Sequence, residues 1–134
     1  MTVSANAYVI KNGTVTIGGT NFSNEVFRAR LVPDVNIQTQ RTFDPTGTAV
    51  DVDTPVYTLE LTAFQSTSAS ASAGLASYLR VNAGSLVTFV LTPKSGSMSA
   101  SGSFMAIPPA FGGTNGEWAS FEGEYPVTGT PSFY

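Results

Sequence analysis

The sequence of 134 residues contains neither cysteine nor histidine. Without cysteine, the chain has no disulfide framework and no thiolate metal site. Without histidine, it lacks the commonest general base and the commonest metal ligand. A hydrolase would then depend on paired carboxylates, a Ser–Lys dyad or a metal ion. No motif joins the many serines to Lys11 or Lys94, so we predict that the protein is not an enzyme and has no cofactor.

Charge is also scarce, because only 11% of the residues are charged, against about a quarter in an average domain. The net charge is −3, and the six Lys and Arg residues are scattered. Wrapping nucleic acid requires clustered basic residues, so this class is excluded, although DNA could pass such a surface without binding. A weakly charged monomer has little electrostatic protection against association. We therefore expect part of the surface to belong to an assembly; a secreted or halotolerant β domain with a Ser/Thr-rich surface is the alternative.

Long apolar runs are missing as well. No apolar stretch approaches the roughly 20 residues that span a bilayer. The start of the sequence has no basic segment followed by an apolar run, so no signal peptide is visible. We expect a soluble protein made in a cytoplasm. Because there is no internal repeat or linker, we expect residues 1–134 to form a single domain.

The most strongly patterned segment is 56–93. Residues 56–65 alternate, with Leu59 and Leu61 on one face and Glu60 on the other, which predicts a half-buried strand. Serines at 66–70 offer helix caps, and apolar residues then recur at helical spacing up to Asn82-Ala83-Gly84. The nearly apolar run 86–91 favours a central strand that is covered on both faces.

The remaining segments predict further strands. Asn12-Gly13 favours a hairpin between residues 7–11 and 14–17, after which Gly18-Gly19 breaks the second strand. Residues 25–32 place Phe27, Ala29 and Leu31 on one face. Additional strands are predicted at 97–107 and 118–125, whereas the tail 126–134 contains too much proline for a central strand.

Residues 36–54 lose the alternation. We favour an extended, partly paired loop here; a hairpin with arms 35–43 and 48–53 is the alternative. The predicted fold is therefore mainly β: a β-sandwich or curved antiparallel sheet, with one flanking α-helix at about 70–81 and a long extended loop at about 36–54.

Several residues suggest sites, each with a simpler interpretation. Glu122 and Glu124 share a strand face, as glycosidase carboxylates do, but a solvated strand is favoured. The loop residues Asp44, Asp51 and Asp53 could bind calcium, although Asp is common in loops because it stabilises turns.

Two further groups of residues suggest sites, and each also has a simpler interpretation. An aromatic platform for sugars is conceivable, but aromatic residues in strands more often belong to the core; its members would be Trp118, Tyr125, Phe133 and Tyr134. Arg28 and Arg30 could pair with Glu60 across strands, although an ordinary solvated face is favoured.

In the order of its strands and helix, the chain resembles the tail tube (major tail) proteins of bacteriophages, in the short form found in phages with long, non-contractile tails. The segments that carry the resemblance are AYVIKNGTVTIGG, EVFRARLVP with the long loop after it, VYTLELTAFQ, GLASYLRVNAG, LVTFVLTP and EWASFEGEYPVTGTPSF. Together they cover nearly the whole chain. A final strand that leads into a Gly-x-Pro tail, here Gly129-Thr130-Pro131, is common in that family.

The resemblance implies a structural virion protein. Six subunits form a ring, and rings stack into a tube that surrounds a tape-measure protein and later conducts DNA without binding it specifically. Its partners are other copies of itself, the tape-measure protein, the tail terminator and distal tail proteins, with no membrane. The family has no catalytic residues. We expect the protein to be made in the bacterial host cytoplasm and located in the tail.

Under this resemblance, Glu60, Glu122 and Glu124 are candidates for the lumen of the tube. The segment 36–54 is a candidate contact between rings; its candidate residues are Phe43, Asp44, Asp51 and Asp53. The arm 1–6 and the tail 126–134, with Phe133 and Tyr134, are candidate contacts between subunits. The alternatives are a carbohydrate-binding or adhesin-type β-sandwich, or another virion subunit for head decoration or tail completion.

Overall fold

The computed structural model describes residues 6–44, 46–52 and 54–134 and, for residue 52, only the backbone. The described part of the chain is mainly β, with one short helix. An antiparallel sheet curls into a half-barrel, and a single helix accompanies it. This architecture confirms the predicted fold class. Apart from Asn6, the predicted arm 1–6 lies outside the described residues.

Nine strands and one helix make up the described part of the chain. They are β1 Thr14–Ile17, β2 Thr20–Asn21, β3 Val26–Asp34, β4 Ile37–Arg41, β5 Thr48–Val52, β6 Val56–Phe64, α1 Leu75–Val81, β7 Leu86–Thr92, β8 Ala100–Met105 and β9 Ser120–Phe133. Seven strands form one sheet in the order β2-β1-β7-β8-β9-β6-β3, and β4 pairs only with β5 in a second sheet. All the pairings are antiparallel.

The core fills the inner side of the half-barrel. The predicted alternation of β6 is confirmed, because Leu59, Leu61 and Ala63 are almost completely buried. Three rings from neighbouring strands line up across the core: Phe89 lies 6.0 Å from Phe104, and Phe104 lies 5.4 Å from Tyr125. Helix α1 closes this core with two fully buried leucines.

Helix α1 is shorter than the predicted span 70–81, since it begins at Leu75. The serines before it do not cap it; they accept hydrogen bonds from nearby backbone N–H groups, which favours a non-helical backbone. The helix is capped instead from a distant part of the chain. The Leu75 N–H donates to Glu25 Oε2 at 3.1 Å, and this carboxylate also suits the positive end of the helix dipole.

The predicted hairpin at Asn12-Gly13 is wrong. Lys11 forms only an isolated bridge with Lys94, and no strand is present at residues 7–10. The first hairpin turns at Gly18-Gly19, where φ is 59° and 84° and β1 pairs back onto β2. Two consecutive positive φ angles are what a tight turn between twisted strands requires, so the glycine pair reverses the chain.

Strand β7 is not covered on both faces, contrary to the expectation from its apolar sequence. Val87, Phe89 and Leu91 are buried, but Leu86 is 56% exposed and Thr88 is also exposed. The reason is architectural: the sheet is a single curled layer, and its one helix lies on the inner side only.

The tail is not excluded from the sheet, because β9 continues to Phe133 and lies between β8 and β6. Its first half pairs with β6 as far as Pro126, and its second half pairs with β8. In the pairing of β8 with β9, the three residues 129–131 lie opposite the single residue Gly102. Pro131 therefore lies in an irregularity of this ladder. A proline is tolerated at the end of a ladder or in a bulge, where its missing N–H is not needed.

The segment between β3 and β6 is a regular hairpin. It is therefore more ordered than the partly paired loop that the sequence favours. The five paired positions run from Ile37 with Val52 to Arg41 with Thr48. The alternative hairpin described above is close to these arms. The alternation of apolar and polar residues is not visible in the sequence, because almost all of this hairpin is exposed and both strands contain many polar residues.

We expect Gly18→Ala to lower the free energy of unfolding by about 2 kcal/mol more than Gly19→Ala. Both residues have positive φ, so both substitutions carry the same kind of backbone strain. Only at Gly18 would the added Cβ collide with the Tyr78 hydroxyl; at Gly19 it would meet open space. Urea denaturation of both variants measures the difference, and adding Tyr78→Phe to Gly18→Ala should recover part of the loss. Equal losses for the two variants would contradict this packing.

Candidate assembly surfaces

The outer side of strands β3, β6 and β9 carries a charged patch of five residues. Two rows cross the three strands. Arg30 pairs with Glu60, which pairs with Glu124; Arg28 pairs with Thr62, which pairs with Glu122. The three glutamates proposed for the lumen therefore lie together on one face, beside two arginines.

Glu60 lies at the centre of this charged patch. Its Oε1 is 3.7 Å from Arg28 Nη2 and 3.7 Å from Arg30 Nη1. The cross-strand pairing of Arg28 and Arg30 with Glu60 is thus present, although the sequence favours an ordinary solvated face. In the described part of the chain, Glu122 and Glu124 form no ion pair. The patch lines a shallow depression of about 440 Å³ and carries a net negative charge, since three carboxylates face two guanidinium groups.

The charges of the seven-stranded sheet are confined to this half. Strands β1, β2, β7 and β8 and the second half of β9 contain no charged residue. Their outer side carries hydroxyl groups instead, as in the row Thr88, Ser103 and Thr128 across three strands. The outer side is therefore divided into a charged half and an uncharged hydroxyl half.

The hairpin β4–β5 presents two different faces. Ile37 and Val50 lie on one face, which also carries Arg41 near the tip, and they are 62% and 63% exposed; Gln40 and Ala49 lie on the other face. Phe43, near the tip, is completely exposed. An apolar face without cover is unusual for a two-stranded sheet, which is only marginally stable on its own.

The aspartates of the hairpin region are explained by turn chemistry. Asp44 Oδ1 accepts hydrogen bonds from the Thr46 N–H and hydroxyl, both at 3.0 Å. These bonds lower the pKa of Asp44, with the backbone bond as the larger cause. Asp51 lies on β5, and Asp53 lies outside the described residues. Among the described residues, no three acidic side chains are grouped so that they could hold a metal ion.

The aromatic platform, which the sequence favours less than a place in the core, does not form. Tyr125 is buried against Phe104, whereas Phe133 contacts Tyr57 with their ring centroids 6.2 Å apart. Trp118 packs elsewhere, on Phe64 at 5.5 Å.

A different aromatic row was missed by the sequence pattern. Phe64 lies between Trp118 and Phe27, whose ring centroid is 4.9 Å away. Phe27 was expected on the inner side, but it is 57% exposed, because the register shifts between Val26 and Arg28. A bulge changes the face of a side chain without any mark in the alternation.

An apolar groove, which we call the seam groove, runs beside strand β3. It has a volume of about 260 Å³ and brings together residues from β3, β7 and both ends of the chain. Its apolar lining includes Tyr8, Ala29, Leu31, Leu91, Met98 and Phe133. Tyr8, Met98 and Phe133 are at least half exposed. No single segment of the sequence signals this groove, because its walls are distant along the chain.

The C-terminal residues proposed as subunit contacts are held within the chain. Phe133 pairs with Ala100, and the Tyr134 and Ser99 backbones exchange two hydrogen bonds. Both aromatic side chains nevertheless remain more than half exposed. The tail is therefore a fixed rim and not a free arm.

The edges of the seven-stranded sheet differ in length. One edge is the nine-residue strand β3, and the other is the two-residue strand β2. A long edge strand offers unpaired N–H and C=O groups to another chain. In β3 the bulge after Val26, the two arginines and Pro33 restrict such pairing.

No protein-family model matches the chain, and no curated protein matches it. Within the described ranges, no helix is long and apolar enough to cross a membrane.

We expect Glu60→Gln to lower the free energy of unfolding by less than about 1 kcal/mol, because Arg28 and Arg30 are half exposed and water screens such pairs. The difference from the unmodified protein should shrink further in 1 M salt, where the Debye length is only about 3 Å. Thermal unfolding at low and high salt measures both effects. A loss of several kcal/mol, or one that salt leaves unchanged, would mean that the charged patch stabilises the fold.

Proposed function

We propose that this chain is a structural subunit of a bacteriophage tail tube, in which rings of the protein stack into a hollow tube for DNA delivery. The observation that carries the proposal is the exposed hairpin β4–β5. It pairs only with itself, and its side chains are exposed on both faces wherever they are described. Such an element needs a partner surface to be stable, and a stacked ring supplies one.

The form of the sheet supports the same proposal. The half-barrel has two open edges and buries only its inner side. Open edges are a liability for a separate molecule but are consumed when neighbouring subunits associate. Since the two edges differ, a contact between them is head-to-tail, and head-to-tail contacts that close produce rings.

The charged patch is our candidate for the lumen. Glu60, Glu122 and Glu124 lie on one outer face, and their net negative charge would repel DNA phosphates. The partial neutralisation of Glu60 by two arginines keeps this field weak. The tape-measure protein, the tail terminator and distal tail proteins are the further partners that this function implies.

The carbohydrate-binding alternative loses its main support. Its four aromatic residues do not come together, and one of them belongs to the core. A head-decoration or tail-completion subunit remains a structural alternative within the virion, and the assembly test below separates it.

The first test is assembly of the purified protein. We expect hollow tubes or six-membered rings by negative-stain electron microscopy at high concentration. A matched variant replaces residues 35–55 with Asn-Gly, which can close β3 onto β6 because Asp34 already pairs with Val56. This variant should fold, by circular dichroism, but stop at rings or smaller species. A protein that stays monomeric at high concentration would refute the proposal, and normal tubes from the hairpin-less variant would refute a stacking role for β4–β5.

The second test addresses the lumen. We expect the two single variants Glu122→Lys and Glu124→Lys to form tubes of normal length, because both side chains are exposed and make no ion pair among the described residues, and each variant changes the net charge of the patch only from −1 to +1 per copy. Phages that carry either variant should deliver DNA less efficiently, since basic side chains retain phosphate. Electron microscopy of the particles and a DNA-ejection assay measure the two outcomes. Loss of tube formation would instead place these residues at a subunit interface.

A further inference from the structure

We propose that Asn115 is a site of spontaneous covalent modification. The backbone nitrogen of Gly116 attacks the side-chain amide of Asn115, which loses ammonia and becomes aspartate or isoaspartate. The dipeptide Asn-Gly occurs only twice in the sequence, at Asn12-Gly13 and at Asn115-Gly116. The fold exposes the second dipeptide to this reaction and protects the first. This modification is independent of the proposed function.

The reaction needs no reactant besides water. The Gly116 nitrogen gives up its proton and forms a bond to Cγ of Asn115, while the bond from Cγ to Nδ2 breaks and the amide group takes up a proton and leaves as ammonia. The resulting cyclic succinimide takes up one water molecule and opens at either carbonyl carbon. One opening gives aspartate; the other gives isoaspartate, in which the main chain passes through the former side chain. Glycine favours the ring closure, because it has no Cβ to obstruct the approach and its backbone dihedrals are the least restricted.

The surroundings of Asn115 leave room for this rearrangement. All residues from 111 to 120 are exposed. Asn115 and Gly116 are the central residues of a β-turn, which is closed by a hydrogen bond of 3.2 Å from the Glu117 N–H to the Thr114 carbonyl. Gly116 has a φ of 87°, as the second central position of a type II turn requires, and a Cβ added there would meet open space. The turn therefore projects into solvent.

The loop around this turn is held at its two ends and not at the turn itself. The Gln65 Nε2 group donates hydrogen bonds to the carbonyls of Gly112 and Ser120, both at 2.9 Å. The turn lies between these two anchors and outside the strands, since β8 ends at Met105 and β9 begins at Ser120. A change in the main chain at Asn115 therefore breaks no pairing of the sheet.

At Asn12 the same dipeptide is held in place by the sheet. The chain is paired with the end of β7 or the residues after it on both sides of Asn12, at Lys11 and at Thr14. Between these points Gly13 packs so closely that an added Cβ would lie 2.7 Å from the carbonyl oxygen of Pro93. Ring closure requires a rotation of the peptide between Asn12 and Gly13, which would press Gly13 against this backbone. An additional barrier of only about 1.4 kcal/mol slows a reaction about tenfold.

Conversion of Asn115 has a measurable consequence, because the protein has few charges. One new carboxylate changes the net charge from −3 to −4. It lies two residues before Glu117 and three before Trp118, which is 85% exposed and packs on Phe64. The protein therefore acquires a second, more acidic form, whose extra charge lies in the loop beside the aromatic row.

Peptide mapping of the protein with its native sequence tests this assignment. The folded protein is incubated in mildly alkaline buffer, which helps to remove the proton from the attacking nitrogen, and samples are digested with trypsin. Asn12 lies in the tryptic peptide 12–28 and Asn115 in the peptide 95–134, so mass spectrometry with fragmentation follows the two sites separately. We expect Asn115 to convert at least about tenfold faster than Asn12 in the folded protein. In urea the two rates should become similar, because the fold no longer protects Asn12.

Two matched variants test the same assignment by charge. Asn115→Gln keeps an amide at this exposed position, but its longer side chain must close a larger ring, which is much slower. The acidic form separated by ion-exchange chromatography should therefore disappear in this variant and persist in Asn12→Gln. Circular dichroism checks that both variants fold, and the peptide map of the native sequence decides the question even where a substitution disturbs folding.

Three results would overturn the proposal. The first is equal conversion of Asn12 and Asn115 in the folded protein. The second is conversion of Asn115 only after unfolding in urea, and the third is an acidic form that persists in Asn115→Gln.

Discussion

The hydrogen bonding of β9 to two different strands is the constraint on which the rest of the structure depends. Through Pro126 this strand is bonded to β6, and from Val127 onward it is bonded to β8. It is therefore the junction between the β6–β3 part of the sheet and the part formed by β2, β1, β7 and β8. Tyr125, next to the point of exchange, is buried against Phe104. The two parts of the sheet that enclose the core are thus joined through this one strand.

A single curled layer has a consequence for the outer surface. The inner side is filled by apolar residues and closed by α1, but no part of the chain that the structure describes forms a second layer over the outer side. Leu86 and the aromatic row around Phe64 are exposed for this reason. In a two-layer sandwich these positions would be interior. The fold therefore buries enough apolar surface to form a core and still leaves apolar surface for contacts with other chains.

Much of the architecture could be predicted from the sequence, because apolar and polar residues alternate along the strands and so indicate which side faces the core. The inward positions of β6 and of β9 from Phe121 to Val127 follow a period of two, and the helical spacing of apolar residues predicts a helix close to the observed Leu75–Val81. The wrong predictions have a physical cause: they depend on contacts between distant parts of the chain, which a local sequence pattern does not contain. The capping of Leu75 by Glu25 joins residues 50 positions apart, and the bulge that exposes Phe27 depends on the partner strand.

The candidate surfaces, likewise, could be predicted only in part. The common face of Glu60, Glu122 and Glu124 was predictable, since each strand alternates regularly. Their closeness to one another depends on β9 lying beside β6, which no pattern along the chain states. The seam groove was not predictable at all, because Tyr8 and Phe133 come from opposite ends of the chain.

The placement of the charges is informative because the chain has so few of them. Exposed pairs such as those of Glu60 contribute little to stability, so the fold does not require the charged patch. Three of the nine acidic residues and two of the six basic residues nevertheless lie within it. Under the proposed function, two requirements account for this mixture. A surface that DNA passes must repel phosphate, yet identical patches brought close in a ring must not repel one another strongly. A carboxylate excess of one per copy, with arginines at its side, satisfies both requirements.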